Sequence, residues 1–264
     1  MTSQNRLTAT FIGGPTLHFC YAGLTFLTDP TFDPPGDYSG GGVVLRKLAG
    51  PSRTPETLAA VDIVLLSHDQ HADNLDVAGR AYLATVPTTL STPDAATRLE
   101  GIVGLLPWQC HSLGGAGAPP VVVTAVPARH GPKGCEPISG AVTGFVLKAD
   151  GWPTVYISGD NASIDALSVV TRRFADIDLA VLFVGAANVG RFGAQNVTFG
   201  AHDAVDIAAL LGGATVVPVH AEDWAHFTEP LAAFELAYAQ AAPNAPLVRL
   251  PRGVTIEIGD PPGP

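Results

Sequence analysis

The chain is poor in several residue types that would commit it to a familiar role. It has three cysteines in 264 residues, Cys20, Cys110 and Cys135, odd in number and far apart. They form neither a disulfide framework nor a Cys-x-x-Cys metal pair, which fits a reducing cytoplasm. Positive charge is scarce: 14 Lys and Arg against 24 Asp and Glu leave a net charge of −10. A chain this acidic is repelled by a phosphate backbone, so no nucleic-acid partner is expected. No apolar run is long enough to span a bilayer, and residues 1–10 lack the basic and apolar regions of a secretory leader. A membrane partner and a leader are therefore not expected. Gly-x-Ser-x-Gly is missing too, since Ser67 stands in L-S-H and Ser158 in I-S-G-D. That excludes the nucleophile elbow of a serine hydrolase.

What is present is apolar and punctuated. The chain is 47% hydrophobic and 14% charged, with 29 Gly and 23 Pro. This composition excludes disorder and points to many short strands and loops. Nothing marks a linker between domains, so one domain over residues 1–264 is expected.

The pattern is organised around residues 67–76, S-H-D-Q-H-A-D-N-L-D, which follow the apolar run V-D-I-V-L-L at 61–66. Such a run makes a buried strand. Directly after it come His68, Asp69, His71 and Asp73. Two imidazoles and two carboxylates crowded at a strand end call for a counter-charge, and a divalent metal supplies one. The plainer reading is a helix cap, with Asp73 or Asn74 capping a helix over 75–84.

Around this centre, residues 7–12, 16–21 and 24–28 read as strands, with a two-residue hairpin at Ala22-Gly23. His18, inside the second, reads as a structural histidine. Residues 29–42 form a long Pro/Gly loop in which Phe32 and Tyr38 either wall a pocket or pin the loop to the core. A strand at 88–91 precedes a helix capped by Thr92 with Pro93 first. Residues 114–120 read as a flexible spacer. Strands at 121–126, 154–158 and 215–219 each run into one metal-competent residue: His130, Asp160 and His220. The middle one forms a hairpin with 144–148. Helices are expected over 164–174, over 199–211 with Thr198 as cap, and from 231. A strand lies at 179–184, a Gly/Asn-rich loop at 185–196, and terminal strands near Leu247 and Val254. Four strands that each end in a metal-competent residue are hard to obtain by chance.

In this order the chain resembles the metallo-β-lactamase superfamily, whose His-x-His-x-Asp-His motif follows a strand and is succeeded by a lone His, a lone Asp and a final His. Here the corresponding stretches are S-H-D-Q-H-A-D-N, P-A-R-H-G-P, Y-I-S-G-D-N and V-P-V-H-A-E-D-W-A-H-F, and L-T-D-P at residues 27–30 is similar to an early motif of the family. The nearest branch is the single-domain group that includes ascorbate-phosphate lactonases and phosphodiesterase-like hydrolases. The resemblance implies an α/β fold, a four-layer αββα sandwich with the metal site at one edge between two sheets. It implies that His68, His71 and His130 hold a first ion, that Asp73 and His220 hold a second, and that Asp160 bridges them. Zinc is the first candidate, with manganese or iron as alternatives, as one or two ions.

Two departures stand out. His68 and His71 are three apart where the family has two, which requires a tighter turn. Asn74 stands where the family has its last histidine, so the second site is expected to be weakened, with nearer one tightly held ion than two. The implied activity is hydrolysis of a small ester, lactone or phosphodiester by a metal-bound hydroxide, with Asp73 orienting it or taking its proton. The alternative is a non-catalytic metal-binding or sensor protein on the same scaffold. Arg129 and Lys133 either bind an anionic small-molecule substrate or are solvated loop charges. Asp69, Glu222, Asp223 and His226 either support the ligands or are polar loop residues. Oligomeric state, homo-oligomer included, is left open.

Overall fold

In the computed structural model, which describes residues 6–40, 42–114 and 119–258, alternation along the strands decides the layering. The first sheet holds β1 (Leu7–Gly13), β2 (Thr16–Tyr21), β3 (Leu24–Thr28), β6 (Ile63–Leu65), β7 (Thr88–Ser91), β8 (Ile102–Gly104) and β15 (Thr255–Ile258), in the order β15-β1-β2-β3-β6-β7-β8. The second holds β9 (Cys110–Leu113), β10 (Val121–Pro127), β11 (Thr143–Lys148), β12 (Val155–Ile157), β13 (Leu179–Phe183) and β14 (Thr215–Val219), in the order β14-β13-β12-β11-β10-β9. A hairpin of β4 (Gly36–Gly40) and β5 (Val43–Lys47) stands apart from both.

Successive side chains on a strand point to opposite faces. In β13, Leu179, Val181 and Phe183 therefore join the core between the sheets, whereas Ala180 and Leu182 face the helices outside. In the first sheet Phe26, Ile63 and Leu65 face inward, and Leu27, Val64 and Leu66 face outward. The outer face of the first sheet is covered by α1 (Val77–Leu83) and α2 (Pro93–Arg98), through Leu83 and Ala95. That of the second is covered by α4 (Ile164–Arg173), α5 (Ala204–Leu211) and α6 (Leu231–Ala241), through residues such as Val170, Ile207 and Phe234. A one-turn helix, α3 (Glu136–Ser139), follows the His130 loop. The result is the four-layer αββα arrangement.

Strand direction positions the site. β3, β6 and β7 are mutually parallel, as are β12, β13 and β14. β10 lies antiparallel to β11, and β11 antiparallel to β12, so β10 runs with the second group. The C-terminal ends of β6, β10, β12 and β14 thus open at one edge, where α/β sheets bind ligands. Among the described residues no helix is long and apolar enough to cross a membrane.

Several local expectations give way. The loop over 29–42 contains β4, whose partner β5 buries Leu45 and Lys47 while exposing Val44; glycine-rich composition hid this alternation. Phe32 is buried against Tyr82, and Tyr38 packs edge-on to Trp224, so both pin the chain. The helix after the central motif begins at Val77, with Asp76 as N-cap accepting from the Gly79 N–H at 2.8 Å. Asp73 and Asn74 therefore do not cap it. Thr198 does not cap a helix either: its hydroxyl accepts from the Ala187 N–H, and a 3-10 turn over Ala201–Asp203 intervenes before α5. Leu247 makes only an isolated bridge to Val216, leaving β15 as the terminal strand. Of the 114–120 spacer, residues 115–118 lie outside the described residues.

Candidate metal centre

The turn after β6 builds the first half of the site. His71 C=O accepts from the Asn74 and Leu75 N–H groups at 3.1 and 3.0 Å, so the chain makes one helical turn there. Residues 68–71 bend without a helical hydrogen bond of their own, and the bend sets His68 Nε2 2.9 Å from His71 Nδ1. The loop after β10 delivers His130, whose Nε2 lies 3.1 Å from the same His71 nitrogen. His130 Nδ1 lies 2.7 Å from the Val197 carbonyl. A carbonyl only accepts, so Nδ1 carries the proton and the Nε2 lone pair faces inward. His68 is steadied at Nδ1 by the Ser67 hydroxyl, 3.0 Å away.

The second half lies beside it. Asp160 follows β12 through Gly159, whose φ is +56° and where an added Cβ would meet Ser67 Cβ and the Thr143 carbonyl at 2.7 Å. Only glycine lets the two sheets approach so closely there. His220 ends β14 with a φ of +54°, an uncommon conformation for a side-chain-bearing residue that aims its ring back at the site. Its Nε2 lies 3.2 Å from Asp160 Oδ1 and 3.5 Å from Asp73 Oδ2. Ligand atoms of His68, His71 and His130 all lie within 4.8 Å of one another, as do those of Asp73, Asp160 and His220.

All six of these side chains are buried. Asp73 Oδ1 and Asp160 Oδ2 are buried without a hydrogen bond. A buried ionised oxygen left unpaired is costly. Three inward imidazole nitrogens and two carboxylates with free oxygens are a donor set that suits a divalent ion, and the residues present fit one.

Comparison with known proteins agrees with this geometry. Residues 25–221 match the beta-lactamase superfamily domain. The chain belongs to this superfamily. Its relatives include a metal-dependent hydrolase of Pelotomaculum thermopropionicum, 30% identical over 205 residues that cover 75% of this chain and 82% of the relative. Another, from an Exiguobacterium species, is 28% identical and covers 85% of this chain and 90% of its own length. Among solved structures, an isothiocyanate hydrolase from Delia radicum gut bacteria superposes with a TM-score of 0.78 at 23% identity, over 96% of this chain and 99% of that one. It shares the fold.

Within this superfamily scaffold the two halves differ electrostatically. Burial, reinforced by the neighbouring imidazoles, depresses His68 far below the ordinary histidine value and His71 to about 4. Both present neutral lone pairs at neutral pH. Burial opposes charge on Asp73 and Asp160 as well, but imidazoles outweigh it: His226 and His220 for Asp73, His220 and His130 for Asp160. Both carboxyls are held below their ordinary range. His220 is raised to about 10, because the Asp160 and Asp73 carboxylates overcome its burial. This half demands positive charge, which a divalent ion would supply while displacing the proton.

Other expected site residues lie elsewhere. Asp69 is clasped by the Arg98 guanidinium at 2.5 and 2.9 Å. Glu222 pairs with Arg249 at 2.7 Å, and Asp223 accepts from the Gly14 N–H at 2.9 Å and pairs with Arg252. None of the three touches an imidazole of the centre; each had a cation or amide closer to hand. Arg129 lines a separate polar cleft with His202 and Asp203, and Lys133 is exposed. Asn74 does enter the centre, its amide donating to Asp160 Oδ1 at 3.1 Å. His226 also enters it, with Nε2 2.9 Å from Asp73 Oδ2.

Three supporting residues were not singled out in the sequence. Asp29, after β3, accepts from the Ser67 N–H at 2.6 Å and is raised to about 8 by burial, against that hydrogen bond. Asn161 accepts from the N–H groups of Arg129 and Ser163, tying the His130 loop to the Asp160 loop. Their signals, L-T-D-P and S-G-D-N, were visible without a role attached. Val197 acts through its carbonyl, which no side-chain pattern reveals.

Proposed function

We propose that this chain is a metal-dependent hydrolase of small acyl compounds, an ester or lactone in preference to a phosphodiester. The observation that carries this reading is the convergence of His68, His71, His130, Asp73, Asp160 and His220 beside a narrow cleft whose remaining walls are mostly apolar. His71, Asp73, His130 and His226 face this cleft, and Val43, Leu45, Ala187, Val189 and Val197 complete it. Among the described residues no lysine or arginine lines it, and Arg191 reaches only its His71 electrostatically, which disfavours a substrate with a full phosphate charge. Zinc is the first choice for the three-histidine set, with manganese or iron as alternatives where carboxylates dominate.

His68, His71 and His130 would hold one ion; Asp73, Asp160 and His220 would face a second, with Asp160 between the two sets. An ion held there acidifies a water and draws electron density from a carbonyl oxygen. Asp73, kept ionised and with Oδ1 free, orients the attacking water and accepts its proton. The apolar walls exclude bulk water from the ions' side of the cleft.

The test is turnover of metal-replete protein on matched small lactones, aryl esters and an aryl phosphodiester, alongside metal analysis. Hydrolysis of the first two at the higher kcat/KM is expected. Tight metal binding with no turnover of any of them would instead favour the non-catalytic metal-binding or sensor reading.

A further inference from the structure

The family pattern places a histidine where this chain has Asn74, and the Asn74 amide points its N–H at Asp160 Oδ1, 3.1 Å away. That end of the amide offers a hydrogen, not a lone pair. Another imidazole stands close by. His220 and His226 both aim Nε2 at Asp73 Oδ2, at 3.5 and 2.9 Å. His226 Nδ1 is buried without a hydrogen bond, and the side chain is only 10% exposed.

The position is built. φ values of +54° at His220 and +79° at Asp223 turn the segment back over the site. Trp224 is buried, Ala225 N–H donates to the Arg46 carbonyl at 2.9 Å, and the His226 carbonyl accepts from Asn188 N–H at 3.0 Å. Phe227 bridges to Ala187 and packs against the His226 ring at a tilt of 50°, with 4.7 Å between centroids. A surface histidine needs no such support.

We propose that His226 supplies the second cation site with the nitrogen ligand that Asn74 cannot, so that Asp73, Asp160, His220 and His226 hold that ion. The assignment rests on the metal reading above and deepens it. It also changes the expected count: the ligand lost at Asn74 returns from the far end of the chain, and two ions are held where the motif alone suggested nearer one. A role limited to orienting Asp73 by a hydrogen bond is the rival.

The experiment loads full-length protein with Zn(II), dialyses all variants together, and measures bound metal, with the cobalt(II) absorption spectrum as a second readout. Wild type is expected to keep two ions. His226→Ala should keep one, the second ion weakened beyond the roughly 10–100-fold that loss of a ligand's hydrogen-bonding partner costs. His226→Gln retains an N–H for Asp73 but no imidazole, and should also keep one. His226→Ala combined with Asn74→His should regain two. Two ions in either His226 single variant, or one ion in wild type, would overturn the proposal. Melting of the metal-free variants checks folding, and the glutamine variant stands if the alanine variant does not fold. Since no substrate is present, an absence of turnover would defeat the hydrolase reading alone, while failure of the His226 dependence would defeat this assignment alone.

Discussion

The two halves of the centre lie side by side and are opposite in kind. The His68/His71/His130 half is three imidazoles, and burial with the neighbouring rings keeps protons off His68 and His71. The Asp73/Asp160/His220 half is two carboxylates that force a proton onto His220. One half resists positive charge from protons and the other requires positive charge from some source. A divalent ion satisfies both, since it takes up neutral lone pairs and neutralises carboxylates. The halves also differ in construction. Two histidines of the first come from one bend, while the three side chains of the second come from three separate strand ends.

The largest effect should come from breaking the first half. His68→Ala and His130→Ala are each expected to abolish hydrolysis and lower bound metal, whereas His18→Ala and His202→Ala should do neither. Metal analysis and assay of the four variants check this. If His202→Ala lost metal while His130→Ala kept it, the centre would lie elsewhere.

In the second half, Asp73→Asn should reduce kcat by on the order of 10²–10⁴-fold, the usual range for losing a positioned proton acceptor. First-half metal should be retained, and steady-state kinetics with metal quantification separate the two effects.

Chelation acts on both halves at once. An ion at a thousand times its Kd stabilises the native state by about 4 kcal/mol. For a chain of this size its removal should lower the melting temperature by on the order of 10 °C. An unchanged melting curve after verified metal removal would mean that the site is not preformed.

Smaller is the effect of Ser67→Ala, which removes the hydroxyl 3.0 Å from His68 Nδ1. Metal affinity of the first half should fall by roughly 10–100-fold, read by competition with a chromophoric chelator.

The subtlest prediction concerns pH and the metal-free protein. His71, lowered to about 4, refuses a proton that the unfolded chain accepts near 6.5. Stability therefore falls as pH drops from about 6.5 towards 4. His220, raised to about 10, holds a proton that the unfolded chain releases. Its contribution is complete below about 6.5 and is lost as pH rises towards 10. Melting across this range should show both limbs, and His71→Gln should lessen the acid one while leaving the alkaline one, with the likewise depressed His68 keeping part of the acid limb. A wild-type curve flat from pH 4 to 7 would contradict the contrast between the halves.

Much of this was legible in the chain. The unbroken apolar run at residues 179–184 marks a strand buried on both faces, because such a run is a local pattern. Thr92-Pro93 marks a helix start because capping involves neighbours three residues apart, and Thr92 does accept from the Ala95 N–H at 3.1 Å. Residues at strand ends could be picked out because parallel strands must open at a common edge. Thr198 misled because a cap-like residue was given a backbone partner, Ala187, from a different segment.

The sequence by itself marked the strands through their apolar runs and six candidate metal-binding side chains through residue type at strand ends, while the four layers were what its resemblance to a family implied. Only the tertiary structure decided the rest. It turned Asp69 to Arg98, gave Asp223 to Gly14 and Arg252, sent Arg129 to another cleft, fixed the His130 tautomer through the Val197 carbonyl, and brought His226 to Asp73. Most of these contacts join residues distant in the chain. Which partner a polar group finds there depends on how separate segments pack, and no local pattern carries that information.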